Sequence, residues 1–350
     1  MYILGIDTSC DDTSAAVLKD GSTVLSNVIN SQIKLHNPYG GVVPELASRE
    51  HVRNIVPVVD EALSRAGVGL KDIDGVAVTI GPGLVGSLLV GLYFAKAVSY
   101  VNNIPMIGVN HLEGHILSIL LEDNIPAFPF TALTVSGGHT SIYYVENPGD
   151  YKIMGQTLDD AAGEAFDKVA KVLGLGYPGG GIIEKISKSG RPDAVHFPRA
   201  YLSDDSYDFS FSGLKTSVSL YIDKWKEPDD NPSSKPGVED IAASFQEAVF
   251  DVLVNKLIRA GLETGVSSIV LAGGVACNRA LRDRLKEEAE KQEIGVFYPR
   301  PEFCTDNGAM IALAGYHRMV NGEYADQSID VKSRYPVKDL KRQKTVNNQQ

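Results

Sequence analysis

The chain is poor in cysteine, in basic charge and in long apolar runs. Its 350 residues hold three cysteines, Cys10, Cys277 and Cys304, an odd set with no metal-finger spacing. That excludes a disulfide scaffold and a zinc ribbon, and a reducing cytoplasmic setting is expected. No uninterrupted apolar run reaches the ~18 residues of a membrane span, so no membrane-crossing helix and no membrane partner are expected. No basic stretch precedes the strand-like start Tyr2–Ile6, so no signal peptide is expected. No G-x-x-x-x-G-K-[ST] motif occurs, which excludes a P-loop nucleotide site. Lysine and arginine number 33 against 44 acidic residues, a net charge of −11. A dedicated nucleic-acid binder needs the opposite balance. One local exception is the segment 331–350, where Lys332, Arg334, Lys338, Lys341, Arg342 and Lys344 face only Asp339. It reads as a basic tail, either solvated and disordered or an arm for nucleic acid or a partner.

Strand and helix signals alternate from the start. Strands are expected at 2–6, 14–18 and 23–29, then an amphipathic helix at 44–66 with Val52, Ile55, Val56, Val59 and Leu63 in helical spacing. A buried strand at 76–80 runs into Gly81-Pro82-Gly83. A helix at 84–101 follows with Gly86 and Gly91 in its body, which points to a close backbone approach. The pattern then restarts. Phe130–Val135, a glycine-rich turn and Thr140–Val145 repeat the strand–turn–strand plan of the N-terminus, which suggests a duplicated domain. Helices are expected at 159–173, 238–263 and 279–292, a strand at 268–271, and a surface loop at 226–237. The expected division is 1–109 plus 305–330, then 110–304, then the tail 331–350.

His111-Leu112-Glu113-Gly114-His115 places two imidazoles one helical turn apart. Both can reach one cation, and a carboxylate such as Asp306 in Cys304-Thr305-Asp306-Asn307-Gly308 would complete a two-His, one-carboxylate set. It is not the protease motif H-E-x-x-H, because Leu112 holds the place of the general base. Three turns rich in glycine or hydroxyls, 7–12, 136–140 and 273–278, sit at strand ends and offer backbone N–H groups to phosphate oxygens. Gly81-Pro82-Gly83-Leu84-Val85-Gly86 is not a dinucleotide turn: Pro82 removes a donor, and no acidic residue follows at the ribose-binding distance. Ser136 lies outside a G-x-S-x-G elbow and is expected to serve the turn. Cys10 and Cys277 are expected as small packing residues.

The order of these turns resembles the phosphate and adenosine elements of the actin, sugar-kinase and Hsp70 superfamily. That implies an α/β fold of two duplicated ribonuclease-H-like domains around a central nucleotide cleft. The resemblance is closer than superfamily. Gly5-Ile6-Asp7-Thr8-Ser9-Cys10-Asp11-Asp12-Thr13, Gly41-Val42-Val43-Pro44-Glu45, the His111–His115 motif, Val135-Ser136-Gly137-Gly138-His139-Thr140, Asp160–Lys168, Tyr177-Pro178-Gly179-Gly180, Phe209–Lys215 and Cys304–Met310 are similar to the tRNA threonylcarbamoyladenosine transferase family, across residues 1 to about 335. The resemblance implies transfer of threonylcarbamoyl from its adenylate to the exocyclic amine of the adenosine beside the anticodon, in tRNAs reading ANN codons. It implies that His111, His115 and Asp306 bind one divalent metal, iron(II) ahead of zinc. It implies that Thr134, Val135, Ser136, Gly137, Gly138, Asp167, Gly180, Glu184 and Asn278 hold the adenylate, or ATP, ADP or AMP. Implied partners are tRNA, a paralogous scaffold protein and a P-loop ATPase. Asp7 and Asp12 stand where many relatives carry glutamate, one methylene longer. Adenosine's amine is a poor nucleophile, so a nearby carboxylate must take its proton as charge develops; Asp11 is the candidate, with Asp12 beside it. A metalloprotease, a kinase of the superfamily and a non-catalytic scaffold are the competing readings. The first lacks its base, the second leaves the histidines unused, and the third would be expected to lack the metal triad.

Overall fold

The structure, a computed structural model, describes residues 1–203, 205–227 and 235–340. Its first strands are β1 (Tyr2–Asp7), β2 (Asp12–Lys19) and β3 (Thr23–Ser31). Then come α1 (Ile33–His36), α2 (Pro44–Ala66), β4 (Gly75–Gly81), α3 (Val85–Asn102), β5 (Met106–Asn110) and α4 (His111–Leu117). The second set is β6 (Phe130–Val135), β7 (Thr140–Asn147), β8 (Asp150–Gln156), α5 (Ala162–Val172), α6 (Gly179–Ser187), α7 (Ser212–Trp225), α8 (Val238–Thr264), β9 (Ser268–Ala272), α9 (Arg279–Glu290) and β10 (Gly295–Phe297). The chain closes with α10 (Pro301–Cys304) and α11 (Gly308–Val320).

Two five-stranded sheets carry one plan. The first runs β3-β2-β1-β4-β5 and the second, read from its far edge, β8-β7-β6-β9-β10. In each, the first two strands pair antiparallel and the last two join parallel; in the first sheet β3 also pairs antiparallel with β2. The duplication expected from the repeated strand–turn–strand signal is therefore present in order and direction.

The chain divides into two compact units. Unit 1 comprises Met1–Ile125, Glu146–Tyr151 and Pro299–Gln350; unit 2 comprises Pro126–Val145 and Lys152–Tyr298. The first break falls at residue 125 and not at 109, because α4 packs with α11 on the first sheet. In unit 1 the strands are buried on both faces, so alternate residues feed opposite layers. Leu4, Ile6, Val17, Val76 and Val78 meet Ile55, Val59 and Leu63 of α2 and Leu92, Ala95 and Val98 of α3. Ile3, Ala16, Leu18, Ala77, Ile107 and Val109 meet α11 through Ala309–Ala314. Among the described residues α3 alone is long and apolar enough to cross a membrane, where none was expected; its inner face belongs to this core. Gly91 gives the close approach expected of it, since a Cβ there would lie 2.5 Å from Thr8 Oγ1.

The expected tail needs correction. Residues 331–340 are not a free arm: Tyr335 is 4% and Val337 2% exposed, and Tyr335 joins the α2–α3 core. Two buried apolar side chains outweigh the local charge there. Residues 341–350, and 228–234 of the expected loop, lie outside the described residues.

Candidate functional site

The triad assembles within unit 1 at the carboxyl ends of its parallel strands, where open α/β sheets place their sites. β5 ends at Asn110, which caps α4: its Oδ1 accepts from the N–H of Leu112 at 2.9 Å and of Glu113 at 3.3 Å. This starts the helix at His111. A Cβ at Gly114 would sit 3.0 Å from Ile311 Cδ1 and 3.1 Å from Met310 Cγ, so glycine there lets α4 press against α11. Asp306 stands just ahead of α11. Asn307 caps that helix, its Oδ1 accepting from the N–H of Met310 at 2.9 Å.

His115 Nε2 lies 3.1 Å and His111 Nε2 3.4 Å from the same oxygen, Asp306 Oδ1. The ligand atoms of all three fall within 4.8 Å of one another. Both histidines are buried, and Asp306, 23% exposed, is the member open to solvent. Asp7 at the end of β1 is fully buried behind His111, its Oδ2 3.0 Å from Nδ1. A carboxylate behind a ligating imidazole fixes the tautomer that frees Nε2 for a metal. His115 has no such support among the described residues, where its buried Nδ1 meets no hydrogen-bond partner. Burial opposes a charge on His111, yet Asp306 and Asp7 hold its imidazole well above the ordinary value. Burial alone would raise Asp306, but His111 and His115 hold its carboxyl well below the usual range. The cluster is thus electrostatically suited to a cation. Two imidazoles and a carboxylate are the donor set of non-haem iron(II) sites.

Glu113, between the two histidines in sequence, turns elsewhere. Its Oε2 accepts from Arg318 Nε at 2.9 Å and its Oε1 from the Tyr151 hydroxyl at 3.1 Å. The acidic turn after β1 is held from α2. His51 contacts the Cys10 carbonyl through Nε2 at 2.9 Å and the Thr13 hydroxyl through Nδ1 at 2.7 Å. Burial raises both Asp11 and Asp12, Asp12 to about 7, with Asp306 adding to the effect on each. Cys10 and Cys277 are half-buried, as small packing residues can be.

The remaining expected residues gather in unit 2. Thr134 and Val135 end β6 and are buried; Ser136 and His139 close a tight turn through Ser136 N–H to His139 O at 2.8 Å. Gly137 and Gly138 have open space where a Cβ would be. Gly273, at φ +92°, lies against the end of β6, where a Cβ would come 2.4 Å from Val135 O. Asp167 accepts from the N–H of Gly179 at 2.7 Å and so caps α6, beside an open Gly180. Glu184 accepts from the N–H of Arg279 at 3.0 Å, next to Asn278, which caps α9 through Leu281 N–H at 3.2 Å. The unit thus brings a glycine turn and the starts of α6 and α9 together with the expected residues. Sequence alone gives no sign of Asp7 as a support for the His111–His115 helix or of His51 as a support for the acidic turn. The buried Asp at a strand end was visible, but its partner lies 104 residues away.

Residues 23–313 match the sequence model of the tRNA N6-adenosine threonylcarbamoyltransferase family. The chain belongs to this family. It is 54% identical over 334 residues to the tRNA N6-adenosine threonylcarbamoyltransferase of Desulforapulum autotrophicum, covering 95% of this chain and 99% of that one. It is 52% identical over 337 residues to that of Syntrophotalea carbinolica, at 96% and 97% coverage. The chain is therefore a transferase acting in tRNA modification. Two solved structures share the fold at low identity. HypF of T. kodakarensis aligns at TM-score 0.61 and 14% identity, over 91% of this chain and 48% of that one. Component A of Acidaminococcus fermentans (R)-2-hydroxyglutaryl-CoA dehydratase aligns at 0.53 and 17%, over 91% and 99%. With the two matching sheets, they place the chain among duplicated ribonuclease-H-like folds of the actin, sugar-kinase and Hsp70 type.

Proposed function

We propose that the chain transfers the threonylcarbamoyl group of threonylcarbamoyl-adenylate to the exocyclic amine of the adenosine beside the anticodon, in tRNAs reading ANN codons, with release of AMP. The observation that carries this reading is the convergence of His111 and His115 on one oxygen of Asp306, in a chain of this family. These three residues hold one divalent metal, iron(II) ahead of zinc. Bound there, the metal supplies Lewis acidity toward the carbamoyl carbonyl of the mixed anhydride. Asp7 orients His111. Asp11, with Asp12 beside it, takes the proton from the adenosine amine as charge develops on nitrogen; burial raises both toward the range where a carboxylate accepts a proton near neutral pH. In unit 2, Thr134–Gly138, Asp167, Gly180, Glu184 and Asn278 hold the adenylate. The open glycines and the starts of α6 and α9 offer N–H groups to its phosphate. Glu113 argues against a metalloprotease: bound to Arg318 and Tyr151, it has no role as a base. The work takes place in the cytoplasm with a paralogous scaffold and a P-loop ATPase.

The test is transfer of labelled threonine from the adenylate to unmodified tRNA with partner proteins supplied, comparing wild type and His111→Ala. Label on tRNA that disappears in the variant supports both the transferase and its metal group. Label that persists removes the metal from the mechanism. No label with wild type, once metal and cognate partners are confirmed, overturns the assignment in favour of a kinase.

A further inference from the structure

An acidic chain whose substrate is a polyanion needs a place where positive charge is gathered and left unpaired. Several cations here are spent internally. Arg318 pairs with Glu113 and Glu323, Arg284 with Glu247 and Asp251, Lys168 and Lys215 with Asp160. The segment 331–340 gathers three others within seven residues. Lys332, Arg334 and Lys338 are exposed, and none of them is paired with a described carboxylate. The nearest specific contact is Lys332 Nζ over the Tyr335 ring at 4.1 Å, which leaves its charge free for an anion.

This charge is held in a fixed place. Lys332 N–H donates to Ile80 O at 2.7 Å and Gly83 N–H to Ser333 O at 3.3 Å. Asn110 Nδ2 donates to Tyr335 O at 2.6 Å. Tyr335 and Val337 are buried beneath the strap. The fit is close enough that a Cβ at Gly81, already at φ +151°, would come 2.0 Å from Lys332 O. The anchors are the ends of β4 and β5. Asn110 is the same residue whose Oδ1 caps the helix bearing His111 and His115. The strap thus fixes three cations, none ion-paired with a described carboxylate, beside the His111–His115–Asp306 group.

We infer that Lys332, Arg334 and Lys338 form a docking strap for the phosphate backbone of the tRNA substrate, beside the triad of unit 1. This rests on the transferase reading above. The contacts are to phosphates, so they carry affinity and register and not base identity.

The test measures tRNA binding and transfer with the full chain and its partner proteins, comparing wild type with Lys332→Gln/Arg334→Gln/Lys338→Gln. The strap's backbone bonds and buried residues are untouched by these changes. Losing three phosphate contacts should lower the slope of log affinity against log salt by about 2–3. KM for tRNA should rise, with kcat, KM for the adenylate and bound-metal stoichiometry unchanged. Lys332→Arg/Arg334→Lys/Lys338→Arg should restore the wild-type slope. If wild type binds and modifies tRNA but the glutamine variant keeps the same slope and KM, the strap inference is overturned and the transferase stands. The strap inference is equally overturned if the charge-preserving variant fails like the glutamine one. If wild type neither binds nor modifies tRNA, the transferase reading falls first and takes the strap with it.

Discussion

Removing one partner of the Glu113–Arg318 pair should destabilise unit 1 far more than removing both. Glu113 is 1% exposed and Arg318 5%, and the guanidinium reaches Glu113 Oε2 through Nε and Nη2, each at 2.9 Å. Glu113→Ala leaves Arg318 with Glu323 as its remaining carboxylate and the Tyr151 hydroxyl without its acceptor. Breaking a buried pair typically costs about 3–5 kcal/mol, and because Glu323 keeps Arg318 paired the lower end of that range is expected. For a unit of this size that is a fall in melting temperature of about 6–20 °C. Replacing both, as in Glu113→Leu/Arg318→Met with Glu323→Gln added so that no carboxylate is stranded, removes the buried charges together and should recover most of the loss. The single tryptophan, Trp225, lies in unit 2, so its fluorescence would not report the change. Hydrogen exchange of α4 and α11, with calorimetry of the metal-free chain, is the appropriate readout. Metal affinity should fall with the single change, since the pair ties the histidine helix to the helix that follows Asp306. A single variant that loses under about 1 kcal/mol, or a combined variant no better than the single, would refute the reasoning.

Other outcomes follow from the same geometry. Asp7→Asn removes the carboxylate behind His111 and should weaken metal binding about 10- to 100-fold, read by titration with cobalt(II) or zinc(II). Asn110→Ala removes the cap of α4 and the donor to Tyr335 O together. It should cost at least the ~1 kcal/mol of a lost N-cap and speed exchange at both Leu112 and the strap. Asp160 is held below the ordinary carboxylate range: burial works against this, but Lys215 and Lys168 prevail. Its contribution to stability is therefore present above the unfolded value near ~3.9 and is lost as pH falls through the lower folded value. The stability gap between wild type and Asp160→Asn in acid denaturation should accordingly close below about pH 4, and a gap that widens there would contradict this.

How much of this was legible in the sequence depended on whether the cause was local. The bounds 44–66 of α2 match the sequence reading, because its Pro44 start and apolar spacing lie within the segment itself, although Val52 and Val56 of that spacing are exposed and Val58 and Ala62 are buried instead. The repeated strand–turn–strand signal disclosed the duplication, and the His-x-x-x-His spacing disclosed two imidazoles side by side on one helix. Other elements left no such trace. α11 is buried almost all round, so it has no polar face to give a helical period; β10 is three residues long. Residues 177–181, read only as a turn, open α6, because Asp167 caps it from another helix. The same split runs through the site. Residue types and spacing at 111–115 proposed the metal ligands. Only the packing of α4 on α11 brought Asp306 to them across 191 positions. Packing also committed Glu113 to Arg318 and set Asp7 behind His111. It pinned a segment that looked like a loose basic tail onto the sheet edge beside Asn110. Local periodicity and capping determine which elements form. Which side chains then share a charge, a proton or a cation is decided by burial and by partners that the chain reaches only once it is folded.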